Sequence, residues 1–183
     1  MSLAPESVSQ HFPTRVETAV FISGVASMGL EIVAGRQITP TFGSSVFTWG
    51  SIIGVFLAAL AVGYWLAGKR AQANASHNAL ALVFVATAAY VALLVVAGDP
   101  ILRATENVGL PPRFAPVLPI TILFGPPTVL LRAVRPYGAE LVASEGPGDA
   151  SGQVYALGTG GSIVGAFATT FVLIPEVKEG VIG

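Results

Sequence analysis

Cysteine is absent from the 183 residues, so disulfides, zinc–thiolate sites and thiol nucleophiles are excluded together. Charge is scarce as well. Charged residues make up 10% of the chain, where a soluble domain carries about 25%. A water-facing globule of this size needs more charge than that, so much of the surface must face lipid. The net charge of −1 supplies no broad basic field for nucleic acid. Two histidines, His11 and His77, stand in polar flanks without a second ligand at metal spacing. No Ser-His-Asp grouping can be placed together from the order of residues. No catalytic residue, cofactor site or metal site is therefore assigned.

What the chain has in quantity is apolar sequence: 53% hydrophobic residues and a mean hydropathy of +0.74. A helix needs about 20 mostly apolar residues to cross the hydrocarbon core. Five runs meet that length: Thr18 to Gly35, Val46 to Gly68, Ala79 to Ala97, Phe114 to Leu131 and Val154 to Ile174. The second has Trp49 near one end and Tyr64-Trp65 near the other, about 24 Å apart by helix rise, which suits two interfacial belts. Gly98-Asp99-Pro100 should end the third, followed by a polar connection from Asp99 to Arg113. The fourth holds Pro116, Pro119, Pro126 and Pro127, and each interior proline deletes a backbone hydrogen bond. A helix broken near Gly125-Pro126-Pro127 is expected, with a second piece from Thr128 towards Val142. Ser144 to Gln153 reads as a loop.

These runs predict an all-α fold, a polytopic helix bundle of five transmembrane helices in the cell membrane. Residues 1–17 form a polar N-terminal segment, 18–176 one multi-pass membrane domain, and 177–183 a C-terminal tail. The N-terminus does not read as a secretory signal, since it has no basic stretch before the first apolar run. With five crossings, Arg15, Lys69, Arg70, Arg132 and Arg135 share one side, and Arg36, Arg103, Arg113 and Lys178 the other. Five against four barely orients the chain under the positive-inside rule; the compact Lys69-Arg70 loop favours a cytoplasmic N-terminus.

Helices in lipid associate through close approach of small residues, because apolar side chains gain little by leaving the lipid tails. Gly24 thins one side of the first span. Gly50 and Gly54 form a small-xxx-small pair in the second, and Gly161 and Gly165 repeat it in the fifth. Packing within one bundle is the plainer use of such pairs; a homo-oligomer through one of these faces is the alternative. The Gly158-Thr159-Gly160-Gly161 run is not a dinucleotide fingerprint, because position 163 is Ile and no strand precedes it.

Glu31 is the costliest residue in the apolar runs. A charge at a helix centre costs about 2.5–3.5 kcal/mol on insertion scales. It must be protonated, paired or near an interface. Arg36 lies five residues on, about 140° around a helix, so pairing within the helix needs an unwound turn. Arg132 and Arg135 are the other possible partners. Two readings stand for this group: a polar membrane site built from Glu31, Arg36, Arg132 and Arg135, or an interfacial Glu that locks two helices. In the second reading the two arginines are anchors whose stems snorkel to the surface.

Phe21-Ile22-Ser23-Gly24, then Glu31, Arg36, Pro40 and Phe42-Gly43-Ser44-Ser45, resembles the opening of membrane-embedded spermidine synthase-like proteins. Gly68-Lys69-Arg70, Gly152-Gln153-Val154-Tyr155-Ala156-Leu157, Gly161-Ser162-Ile163-Val164-Gly165 and Phe171-Val172-Leu173-Ile174-Pro175 resemble later motifs of that family, in the same order. Two positions depart from it: Gly29-Leu30-Glu31 lacks the aromatic before the Glu, and Arg132 stands where the family has glycine. In the family, further membrane helices and a soluble aminopropyltransferase-like domain commonly follow, and none of that domain's residues is in this sequence. The resemblance therefore implies the membrane half alone, as a small stand-alone protein or a shortened one, with no enzyme activity of its own. It would anchor or assist a synthase domain on a soluble aminopropyltransferase-like partner chain. The alternative is a transporter, or transporter subunit, for a polyamine-like small molecule.

Overall fold

The computed structural model describes residues 15–143 and 150–179. Most of the polar segment expected over 1–17, residues 144–149 of the expected loop and the last four residues of the tail lie outside that range; residues 150–153 of that expected loop are helical. Among the described residues, five helices are long and apolar enough to cross a membrane. They are α1 (Arg15–Phe42), α2 (Val46–Asn74), α3 (His77–Glu106), α4 (Val117–Ala143) and α5 (Ala150–Ala168). A π turn, Thr169–Leu173, continues α5 into a short α6, Ile174–Glu179. The all-α polytopic bundle expected from the apolar runs is the fold.

The helices overrun the apolar stretches that announced them. Hydropathy marks where the side chains leave hydrocarbon, whereas the i→i−4 ladder continues into the interfacial layer. Thus α2 passes Lys69 and Arg70 to Asn74, and α3 begins at His77 behind a Ser76 cap. Pro100 does not end α3, which runs on to Glu106, so the polar connection is shorter than expected. Pro40 likewise lies inside α1.

The stop after α1 comes from Gly43. Its φ of 78° is a left-handed conformation open to glycine, and its N–H donates to the Thr39 carbonyl at 2.9 Å. Ser45 then caps α2, accepting from the Thr48 N–H at 3.2 Å. The Trp49 indole N–H donates to Ser44 Oγ at 3.2 Å, and the ring lies against Gly35. The Pro-x-Phe-Gly-Ser-Ser motif is a helix corner, with Ser45 satisfying a freed backbone donor and Ser44 a ring donor.

The expected break in the fourth span is not there. Residues 112–116 form turns and α4 is continuous from Val117 to Ala143, with Pro126, Pro127 and Pro136 inside it. Pro119 falls in the first turn, where N–H groups have no helical acceptor in any case. Pro126 would leave the Ile122 carbonyl without its donor, and the Tyr90 hydroxyl of α3 donates there instead, at 2.6 Å. Thr128 Oγ1 adds a bond to the Phe124 carbonyl at 2.7 Å. A hydroxyl from the neighbouring helix thus re-satisfies the Ile122 carbonyl, which is one way membrane helices tolerate proline.

α4 is the central helix. Of its apolar window 56% is buried inside the bundle, against 11% for α3, and it packs against all four other long helices. α1 lies along α5, and α2 along α4. A Cβ at Gly24 would collide with the Gly158 carbonyl, one at Gly161 with the Phe21 carbonyl, and one at Gly165 with the Val25 carbonyl. These three glycines form the α1–α5 contact. Gly50 and Gly54 have nothing within 4 Å of such a Cβ and are exposed. The expectation that this pair packs within the bundle is therefore corrected: it faces outward.

Candidate functional site

Two apolar clusters fill the bundle, one at each end. The first gathers Val16 and Val20 of α1, Ala67 and Ala71 of α2, and Val134, Tyr137 and Leu141 of α4. The second gathers Ala34 and Ile38 of α1, Ile52 and Phe56 of α2, and Ile120, Leu123 and Phe124 of α4. Between them the same helices carry Ser27, Glu31, Tyr64 and Arg132, with Arg135 one turn further along α4. A polar layer thus crosses the molecule roughly halfway along its helices.

Arg135 is the best-defined member. It is 9% exposed, and its guanidinium donates to Tyr64 Oη of α2 and to Ser162 Oγ of α5, each at 3.2 Å. Both acceptors are neutral hydroxyls. Ser162 can accept because its own proton goes back to the Gly158 carbonyl, at 3.0 Å. A side chain at Gly158 would meet Arg135 Nε at 2.6 Å, so that glycine makes the space the guanidinium fills. Arg135 ties α2, α4 and α5 together.

Arg132 lies nearer α1. It interacts electrostatically with Glu31 and with Arg135, while its Nε is buried without a hydrogen-bond partner. At its backbone, Gly63 lets α2 approach closely, since a Cβ there would stand 3.0 Å from Arg132 Cβ. Glu31 is half-buried and has Arg132 as its electrostatic neighbour. One turn before it on the same face, the Ser27 hydroxyl is also buried and without a partner.

The four charged residues singled out in the sequence are therefore separated. Glu31, Arg132 and Arg135 share one layer. Arg36 does not join them, because α1 is helical throughout and the 140° offset stands. It is exposed and lines an apolar groove of about 550 Å³ with Val33, Thr87 and Thr169. The anchor reading fails for Arg135, which bonds inside the bundle rather than reaching the surface.

Sequence reasoning missed Tyr64, Ser162 and Ser27. Tyr64 was expected in an interfacial belt; it turns inward and meets the Tyr155 ring edge-on, with centroids 6.4 Å apart. Trp65 next to it does face outward, with Lys69 Nζ 4.2 Å above its ring. The signal available beforehand was the spacing Ser23, Ser27, Glu31, which puts three polar groups on one face of an otherwise apolar helix. Comparison of the chain with family models, with curated proteins and with solved structures finds no match.

Proposed function

We propose that this chain is a non-catalytic membrane module that receives a small polar molecule at the layer formed by Glu31, Arg132 and Arg135. The supporting observation is Arg135, a permanent positive charge buried inside the bundle with neutral partners from two other helices. Intramembrane ionisable groups are costly and concentrate at substrate and ion pathways. A purely structural tie between these helices could be made by a neutral amide. The role this suits is transport, or presentation of the ligand to another chain.

The resemblance to spermidine synthase-like membrane domains supports a second reading, in which the module anchors a soluble aminopropyltransferase-like chain. It rests on the order of the motifs and on the corner at Pro40 to Ser45.

One experiment separates these. The purified chain is reconstituted in vesicles, and uptake of labelled spermidine, small carboxylates and phosphate is followed. Saturable uptake of one of them is expected, reduced roughly tenfold or more in Glu31→Gln and Arg132→Gln. Uptake at wild-type rates in both variants would remove this layer from the pathway. No uptake, together with co-purification of a synthase-like chain, would put the anchoring reading in its place.

A further inference from the structure

We infer that the molecule received by this layer is a small oxyanion, a carboxylate or phosphate of few heavy atoms. The inference deepens the ligand-holding reading above and rests on it.

The sign of the charge comes first. The layer carries two guanidiniums, Arg132 and Arg135, and one carboxylate, Glu31. Guanidinium does not lose its proton in proteins, so the arginine charges persist whatever their burial. Glu17, the other acidic residue of α1, lies outside the layer and has interactions of its own. Within the layer the guanidiniums outnumber the carboxylate by one, and the remaining groups are neutral hydroxyls. A polyamine, the ligand the resemblance suggests, brings more of the same sign into a medium that screens it poorly.

The hydrogen-bonding groups agree with the charge. Arg132 Nε is a buried donor without an acceptor, and Ser27 Oγ is a buried hydroxyl without a partner. The Tyr64 and Ser162 hydroxyls hold the Arg135 fork in place. An oxyanion supplies acceptors to this set, and the planar guanidinium fork matches its geometry. Arg132 stands near the middle of α4. A free solute and a lipid headgroup share this oxyanion chemistry, and stabilisation by a soluble anion in neutral detergent identifies the free solute.

The test uses the whole chain in a neutral detergent. Its melting temperature is followed while formate, acetate or inorganic phosphate is titrated in. A bulky sulfonate too large for the layer holds ionic strength constant. A saturable rise of roughly 5–10 °C at hundredfold excess over Kd is expected. The carboxylate and phosphate arms show which oxyanion is preferred. Arg132→Gln should abolish the rise while leaving the Arg135 bonds to Tyr64 and Ser162 in place. If that variant does not fold, Ser27→Ala should weaken the apparent affinity roughly tenfold. Saturable stabilisation by spermidine, lost in Glu31→Gln, would overturn the anionic class and leave the ligand-holding reading intact. Absence of saturable stabilisation by either sign of ligand would overturn both.

Discussion

Pro126 deletes the N–H that would serve the Ile122 carbonyl, and the Tyr90 hydroxyl restores that bond from another helix. In lipid an unsatisfied carbonyl has no water to turn to. Tyr90→Phe should therefore lower stability by about 1–2 kcal/mol, read as a fall in melting temperature in detergent. Pro126→Ala returns the missing donor, so in that background Tyr90→Phe should cost close to nothing. An equal loss in both backgrounds would show that the phenol does not serve the proline. The same logic governs the layer: Tyr64 and Ser162 are ordinary in sequence and acquire a role from where Arg135 points. Glu31 was conspicuous beforehand because a charge in an apolar run is expensive wherever it ends up. Tyr64 was not, because a tyrosine near a helix end fits a membrane interface equally well.

Helices α2 and α5 carry small-xxx-small pairs that are alike as strings of residues. The Gly161–Gly165 pair meets the α1 backbone at Phe21 and Val25, whereas Gly50 and Gly54 meet nothing within 4 Å. Gly161→Val must push α5 off α1, since the atom in the way is a backbone carbonyl. It should cost more than about 3 kcal/mol or prevent folding, a magnitude typical of severe core disruption. Gly54→Val should stay within about 0.5 kcal/mol, as outward-facing substitutions do. Parallel melting and gel filtration of the two variants checks this, and a Gly54→Val protein as damaged as Gly161→Val would contradict the packing described. The Gly50–Gly54 face is left for lipid or a second copy.

Five crossings put the Gly43–Ser45 corner and the turn after Glu106 on one side of the membrane, and the α2–α3 junction on the other. The absence of cysteine makes this directly testable. Ser44→Cys and Asn107→Cys should react with an impermeant thiol reagent from the same face of sealed vesicles, and Ser76→Cys from the opposite face. Reaction of all three from one face would refute the topology. The inward placement of Arg135 also changes the orientation argument. It and its layer partner Arg132 no longer count as loop charges, so the balance becomes three against four and no longer favours either side.

Hydropathy alone determined the solvent, the helix class and the number of crossings, because every residue in a run of about 20 pays or gains transfer energy independently of its neighbours. Helix ends were less legible. Pro100 and the Pro126-Pro127 pair look like stops, yet whether a proline breaks a membrane helix depends on which group reaches the freed carbonyl. Only the tertiary structure decided which glycines lie in an interface, that Arg36 stands apart from Glu31, and that Arg132 and Arg135 turn inward. Those outcomes depend on which helix lies against which face, and that pairing is a property of the assembled bundle rather than of any one segment.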